Sequence, residues 1–137
     1  MTAYISISFT KRKSLDGELN SIAQALALFN ITPFVFVDQY QFDCAQEKRM
    51  MQQAMRDIDH CDVLIAETSH KGIGIGIEVG YAKAKGKPVI YLRHQDAEHS
   101  TTVSGISDFQ IAYSDTNDLQ KQLCGILKGI VLTNSSY

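Results

Sequence analysis

Tryptophan is absent from this chain of 137 residues, proline occurs twice and cysteine three times. The cysteines, Cys44, Cys61 and Cys124, are odd in number and far apart, which argues against a disulfide framework or a CxxC zinc site. No apolar run approaches the roughly 20 residues that a membrane-spanning helix needs. The N-terminus also lacks the basic and apolar segments of a signal peptide. We therefore expect a soluble cytoplasmic protein.

The chain also has no excess of positive charge, because it contains 13 Lys and Arg residues and 15 Asp and Glu residues. This balance argues against a nucleic-acid polymer or an anionic membrane as the main partner. The spacing of the four histidines suits no metal-binding helix pair, so no metal site is expected. With 45% hydrophobic residues, the length and composition predict one domain, residues 1–137, with a core of its own.

Apolar segments with strand-like and helical periodicity alternate along the chain. Strands are predicted at 4–9, 34–37, 63–66, 89–92 and 109–113, and helical stripes at 15–29, 50–58, 77–85 and 119–130. Asp43 followed by Gln46 predicts the start of the second helix, 94–108 reads as a loop, and 133–137 as a loose tail. The order predicts an α/β three-layer sandwich of the flavodoxin or Rossmann type, with a five-stranded, mainly parallel sheet and helices on both faces.

Ligands of such sheets bind outside the carboxyl ends of the strands, where this chain has a glycine-rich segment, residues 72–82. The segment lacks the GK[ST] of a phosphate-binding P-loop. It also follows the third strand rather than the first, and it lacks the third glycine of a dinucleotide fingerprint. Glycines before a helix let a ligand approach the free N–H groups of the helix N-terminus. Gly72, Gly74 and Gly76 are therefore candidate binding residues.

Glu78 is the carboxylate of this segment, and the pattern predicts it in the first turn of a helix that begins near Ile77. The helix dipole favours the ionised form of a carboxylate at that position. An ionised and positioned carboxylate suits a nucleophile, or a group that stabilises positive charge at a sugar carbon. The residues alone do not exclude that Glu78 is simply an acidic residue at the start of the helix with no role in catalysis.

Three segments together carry a resemblance to a known family: Asp62–Glu67, Gly74–Ala82 and Gly86–Val89. They resemble the nucleoside 2-deoxyribosyltransferases and the related 2'-deoxynucleoside 5'-monophosphate N-hydrolases. The resemblance implies cleavage or transfer at the N-glycosidic bond of a nucleoside or its 5'-monophosphate. It implies a glycosyl-enzyme intermediate on Glu78 and no cofactor. It further implies a homodimer or larger assembly, in which Ser100, with Thr101 beside it, reaches into the neighbouring subunit's site.

Two positions depart from the family pattern. Ala54 stands where the family carries an Asp that assists the leaving base, so Asp57, about one helical turn further on, is the candidate substitute. Gly72 stands where the family has a polar residue. Because of these departures, the alternative to an enzyme is a non-catalytic nucleotide-binding module of the same fold.

Further candidates for substrate binding lie at the predicted ligand edge of the sheet. Lys11 and Arg12 follow the first strand and read either as a phosphate clamp or as a solvated loop. Tyr4, Asp38 and Tyr40 are candidates for stacking on a base or holding ribose hydroxyls, and Ser8 lies at the end of the first strand.

Overall fold

The structure is a computed structural model that describes residues 1–134. Its five strands form one sheet in the order β2-β1-β3-β4-β5, and all four neighbouring pairs are parallel. The strands are Thr2–Ser6 (β1), Thr32–Val35 (β2), Val63–Glu67 (β3), Val89–His94 (β4) and Phe109–Tyr113 (β5). This confirms the predicted flavodoxin-like α/β class, with a sheet that is wholly rather than mainly parallel.

Six α-helices connect or follow the strands. They are Asp16–Ala27 (α1), Phe36–Gln39 (α2), Glu47–Asp59 (α3), Ile73–Ala84 (α4), Thr101–Ile106 (α5) and Thr116–Asn134 (α6). Short 3-10 turns precede α1 and α3. None of the helices in residues 1–134 is long and apolar enough to cross a bilayer.

Each sheet face buries alternate strand residues, which is why the strands are almost continuously apolar. On one face, residues such as Ile5 and Ile65 pack with α1 and α6. On the other face, residues such as Leu64 and Ala66 pack with α3 and α4. The candidate site lies at the second face, where α4 follows β3.

The first predicted strand, 4–9, is Thr2–Ser6 in the structure, so Ser8 follows the strand rather than ending it. Two further predicted elements change in type. The apolar run from Phe34 to Val37 leaves the sheet after Val35, and its second half belongs to α2. The reason is that β2 is an edge strand paired only with β1, whose register with it ends at Ile5. The predicted loop at 94–108 contains α5, which Ser100 caps by accepting a hydrogen bond from the Val103 N–H at 3.4 Å. Its short polar sequence has no apolar stripe that would have indicated a helix.

The capping prediction at Asp43 is confirmed. Its side chain accepts from the Ala45 N–H at 2.9 Å, and its own N–H donates to Gln46 Oε1 at 3.1 Å. At the other end of the chain, Thr133 and Asn134 belong to α6 rather than to a tail. The rest of the predicted tail, 135–137, lies outside the described residues.

Candidate functional site

A cleft of about 800 Å³ opens at the carboxyl ends of β1 and β3. Strand order reverses direction here, because β2 lies on one side of β1 and β3 on the other, and parallel sheets bind ligands at such a point. The lining comes from four segments, namely 7–10 after β1, 36–42 around α2, three residues of α3, and the start of α4 with the two residues before it. Gly72, Gly74, Glu78 and Ser8 are among the predicted site residues that line the cleft.

The helix that carries Glu78 begins earlier than the sequence predicts. α4 starts at Ile73 with Gly72 as its N-cap, so Gly74 and Gly76 are helical residues rather than a preceding turn. Glycine is a poor helix former, which hid this first turn. Glu78 is consequently the sixth helical residue and lies in the second turn. The prediction that Glu78 lies in the first turn, where the helix dipole favours its ionised form, is therefore wrong.

Gly74 keeps the Glu78 carboxylate open to the cleft. Residues four apart share a helix face, and a Cβ added at Gly74 would lie 3.9 Å from Glu78 Oε1. A longer side chain at this position would cover the carboxylate. Gly76 does not line this cleft and lines a second one instead.

Burial dominates the electrostatics of Glu78. Loss of hydration raises the pKa of its carboxyl to about 7, although the nearby hydroxyls of Tyr4 and Ser6 lower it in part. Neither hydroxyl reaches hydrogen-bonding geometry with the carboxylate. The position of Glu78 in the sequence predicts an ionised carboxylate, whereas its burial in the structure makes ionisation harder than in water.

Four buried side-chain oxygens in residues 1–134 have no hydrogen-bond partner: Tyr4 Oη, Ser6 Oγ, Asp57 Oδ2 and Glu78 Oε2. Buried polar atoms of folded proteins are nearly always partnered. Glu78 interacts with the Tyr4 and Ser6 hydroxyls, and the charge of Asp57 also acts on Tyr4. The oxygens therefore form one polar group within an otherwise apolar layer.

Tyr4 lies beneath the cleft and is fully buried. Burial, and then the charge of Glu78, raise the pKa of its phenol, so that it keeps its proton. Its ring packs against Phe34 and Phe36 at centroid distances of 5.9 and 6.1 Å. The structure thus places Tyr4 against Glu78 and leaves none of its surface for stacking on a base.

Asp57 lies beside the cleft and does not line it. Its Oδ1 accepts from Gln53 Nε2 at 3.0 Å. Desolvation raises the pKa of the neighbouring Tyr40 phenol, and Asp57 adds to the rise. Tyr40 does line the cleft, and so does Ala54. Ala54 therefore offers the cleft no polar group. The nearest carboxylate on α3 is that of Asp57, and its neighbour Tyr40 lines the cleft.

An aromatic wall, made by Phe36, Tyr40 and Phe42, lines the same cleft as Glu78. Their ring centroids are 5.1 to 6.3 Å apart, and Met50 and Met51 extend the apolar surface. Of these three aromatic residues, only Tyr40 is a substrate-binding candidate from the sequence. The density of aromatic residues between positions 34 and 42 was the signal that could have found the wall.

Arg12 and Asp38 contact each other rather than the cleft. The guanidinium donates from Nε and Nη2 to the two Asp38 oxygens at 2.7 and 2.8 Å, and from Nη1 to Asp16 at 2.6 Å. These hydrogen bonds raise the pKa of Arg12. Lys11 is exposed and lies outside the cleft lining. The cation that does line the cleft is Lys71, whose Nζ lies 2.8 Å from Glu98.

Ser100 and Thr101 line a second cleft of about 470 Å³ together with Gly76. Lys71 and Gly72 separate this cleft from the first one and line both. Within one chain, therefore, Ser100 and Thr101 lie on the opposite side of Lys71 and Gly72 from Glu78.

Comparison with known proteins gives concordant results. The sequence profile of the family described as nucleoside 2-deoxyribosyltransferase matches residues 7–129. A Thermofilum pendens protein, provisionally named 2'-deoxynucleoside 5'-phosphate N-hydrolase 1, is 34% identical over 89 residues. The match covers 61% of this chain and 62% of the relative, so the chain spans less than two thirds of the relative's length.

Solved structures share the fold at low sequence identity. The CMP N-glycosidase of Clostridium botulinum superimposes with a TM-score of 0.60 at 20% identity, over 90% of this chain and 98% of the other. A 2-deoxyribosyltransferase of Bacillus psychrosaccharolyticus gives 0.65 at 15% identity, over 90% and 96%. The match to the family profile spans most of the sequence, and the chain belongs to the nucleoside 2-deoxyribosyltransferase family.

Proposed function

We propose that this protein cleaves or transfers the N-glycosidic bond of a deoxynucleoside or its 5'-monophosphate through a glycosyl-enzyme intermediate on Glu78. The observation that carries the proposal is the position of one carboxylate. Glu78 lines the cleft at the carboxyl edge of the sheet, has the Tyr4 and Ser6 hydroxyls beside it, and shares the cleft with the aromatic wall. The relatives named as N-hydrolase, N-glycosidase and deoxyribosyltransferase support it.

In the first step, a Glu78 oxygen attacks the anomeric carbon of the sugar. The bond from that carbon to the base nitrogen breaks, and its electron pair leaves with the base, which takes up a proton. Such a reaction passes through an oxocarbenium-like transition state that a nearby carboxylate stabilises. Attack requires the ionised form of Glu78, and the hydroxyls of Tyr4 and Ser6 favour that form.

The base occupies the apolar half of the cleft in this proposal. Phe36, Tyr40 and Phe42 offer ring faces for stacking, an interaction that tolerates different bases. Asp57 serves the departing base through its neighbour Tyr40, in place of the carboxylate that Ala54 lacks. In the second step, water or a second base attacks the anomeric carbon and gives up a proton to solvent, and the bond to Glu78 breaks to regenerate the carboxylate.

The test is release of free base from a panel of nucleosides and 5'-monophosphates, followed by chromatography. We expect Glu78→Gln to lose at least about 1000-fold in rate, since removal of a single catalytic group can cost about 10⁴- to 10⁶-fold. Glu47→Gln, an exposed first-turn glutamate of α3, is the matched control and keeps full activity. Equal base release by Glu78→Gln and the control would refute the mechanism. Formation of a new nucleoside when a second base is added would identify a transferase.

The second candidate is a nucleotide-binding module without turnover, favoured by the apolar side chain of Ala54 in the cleft. A nucleotide that raises the melting temperature and stays intact for hours would support this alternative. Base release that depends on Glu78 would exclude it.

A homodimer through α4 and α5, in the cytoplasm, completes the proposal. Ile73, Ile77 and Ile106 are 86%, 53% and 41% exposed on these helices, and an apolar face of this kind is typical of an interface. Ser100 and Thr101, which lie nearby, would contribute to the partner's site. Light scattering should give twice the mass of the chain for the wild type and a monomer for Ile77→Glu. Leu28→Glu, a comparably exposed position at the end of α1, should remain dimeric, and a monomeric wild type would refute the interface.

A further inference from the structure

A carboxyl group that the proposed reaction does not use is buried on the opposite face of the sheet from Glu78. Glu67 ends β3 and is 1% exposed. Strand alternation places its side chain on the face of Val63 and Ile65, which pack with α1 and α6. Its Oε2 accepts from the Tyr113 hydroxyl at 2.6 Å, and its Oε1 accepts from the Ser69 N–H at 2.5 Å.

Burying a carboxyl group in this way opposes stability rather than adding to it. Buried charged groups pay a desolvation cost, and apolar replacements of similar volume are often neutral or stabilising. Burial raises the pKa of Glu67, while the hydrogen bonds from Ser69 and Tyr113 lower it. What this arrangement does supply is a fixed position for Ser69.

Ser69 is held by three groups from three strands. Its N–H donates to Glu67 at the end of β3, its Oγ accepts from the N–H of His94 in β4 at 2.8 Å, and Oγ lies 3.3 Å from the Tyr113 hydroxyl in β5. The preceding residue, Thr68, donates both its N–H and its hydroxyl to the Leu92 carbonyl at 2.8 Å. The chain is therefore fixed to the sheet up to residue 69.

Only three residues, 70–72, connect Ser69 to the start of α4. This short loop includes Lys71 and Gly72, which line both clefts. Any shift of Ser69 is thus transmitted directly to the wall of the cleft and to the start of the helix that carries Glu78.

We propose that Glu67, Tyr113 and Ser69 form a positioning unit for the reaction proposed above. They hold the loop 70–72, and with it the first turn of α4, against the sheet. The inference rests on the proposed function, because its consequence is the placement of Glu78 relative to the sugar. None of the three residues contacts the main cleft, so their effect is indirect.

The first experiment compares steady-state kinetics of variants that remove single contacts. Tyr113→Phe keeps the ring packed against His94, at 5.6 Å between centroids, and removes the hydroxyl. Ser69→Ala removes the Oγ atom, and Ser69→Thr restores a hydroxyl. We expect Tyr113→Phe and Ser69→Ala to lower kcat by about tenfold or more, since small misplacements of reacting groups have effects of this size. KM should change less, and Ser69→Thr should recover most of the rate.

Ile130→Val is the control for stability, because it removes one methyl group from α6 in the same core layer. All rates are measured where every variant is fully folded. If Tyr113→Phe and Ser69→Ala keep wild-type kcat, or lose no more than Ile130→Val does, the positioning role is refuted.

The second experiment does not depend on activity. We expect amide hydrogen exchange of residues 69–73 to accelerate in Tyr113→Phe and Ser69→Ala, while exchange in α6 stays unchanged. Unchanged exchange at 69–73 would overturn the inference. An inactive wild type would refute the proposed function instead, and the exchange result would still decide whether the unit holds the loop.

Discussion

The phenol of Tyr4 on β1 lies against the carboxylate of Glu78 on α4, and each group changes the pKa of the other. The charge of Glu78 helps to keep the phenol protonated. The phenol in turn favours the ionised form of Glu78 against the effect of burial. Burial and this pair together set the pH at which Glu78 is ionised, the form that the proposed reaction requires.

The first prediction concerns the pH dependence of the reaction. Burial raises the pKa of Glu78 to about 7, and in the proposed mechanism only the ionised form attacks. Base release under kcat/KM conditions should therefore rise with pH and level off above an apparent pKa near 7. A rate that is constant between pH 5 and 8 would contradict the assignment of Glu78.

The second prediction concerns Tyr4→Phe, which keeps the ring packing against Phe34 and Phe36. Loss of the hydroxyl removes a group that lowers the pKa of Glu78. The rate profile should consequently move to higher pH, and the rate at pH 6 should fall more than the rate at pH 9. A profile that moves to lower pH or stays in place would show that the hydroxyl does not act on Glu78.

The third prediction links the same pKa to stability. A carboxyl whose pKa rises from 4.5 to about 7 on folding binds more protons in the folded state, so stability is lost as pH rises through 7. The full cost of ionisation is on the order of 3 kcal/mol. Glu78→Gln should thus be more stable than the wild type at pH 8, with little such gain near pH 4. Urea unfolding at both pH values tests this, and an equal effect at both would refute it.

The fourth prediction concerns Gly74. Glycine in a helix costs roughly 0.5–1 kcal/mol relative to alanine, so Gly74→Ala and Gly125→Ala should both stabilise the protein. A Cβ at Gly125 meets no atom within 4 Å, whereas one at Gly74 approaches Glu78 Oε1. Gly74→Leu should therefore abolish base release, and Gly125→Leu should not. Full activity of Gly74→Leu would place the substrate elsewhere.

The fifth prediction separates two cations. Arg12 is held outside the cleft lining by two carboxylates, Asp38 and Asp16, whereas Lys71 lines the cleft and pairs with the exposed Glu98. Lys71→Gln should raise KM for a 5'-monophosphate about threefold to tenfold and leave KM for the nucleoside unchanged. Arg12→Gln should affect both substrates alike. Selective loss of monophosphate binding in Arg12→Gln would reverse this assignment and restore the predicted phosphate clamp.

Sequence reasoning succeeds where local patterns decide the structure. The Asp43 capping box and the strand 109–113 are visible within a few residues of chain, and both are present as predicted. The family resemblance likewise rests on contiguous segments, and the profile match confirms it.

Sequence reasoning fails where distant residues decide the outcome. The raised pKa of Glu78 depends on burial against β1, some 70 positions away in the sequence. The position of a carboxylate relative to a helix end does not reveal such burial. The ion pair of Arg12 with Asp38 likewise joins residues 26 positions apart. The first turn of α4 was missed for a local reason, because its glycines resemble a loop.

The most direct test of the proposed glycosyl-enzyme intermediate on Glu78 is mass spectrometry of the intact chain after incubation with a 2'-fluoro-substituted deoxynucleoside or its 5'-monophosphate. The fluorine destabilises the oxocarbenium-like transition state and slows the second step, so the intermediate accumulates. We expect a mass increase of one fluorinated sugar, carried by the peptide that contains Glu78 and absent in Glu78→Gln. Release of base with no adduct on the chain, or an adduct on another residue, would contradict it.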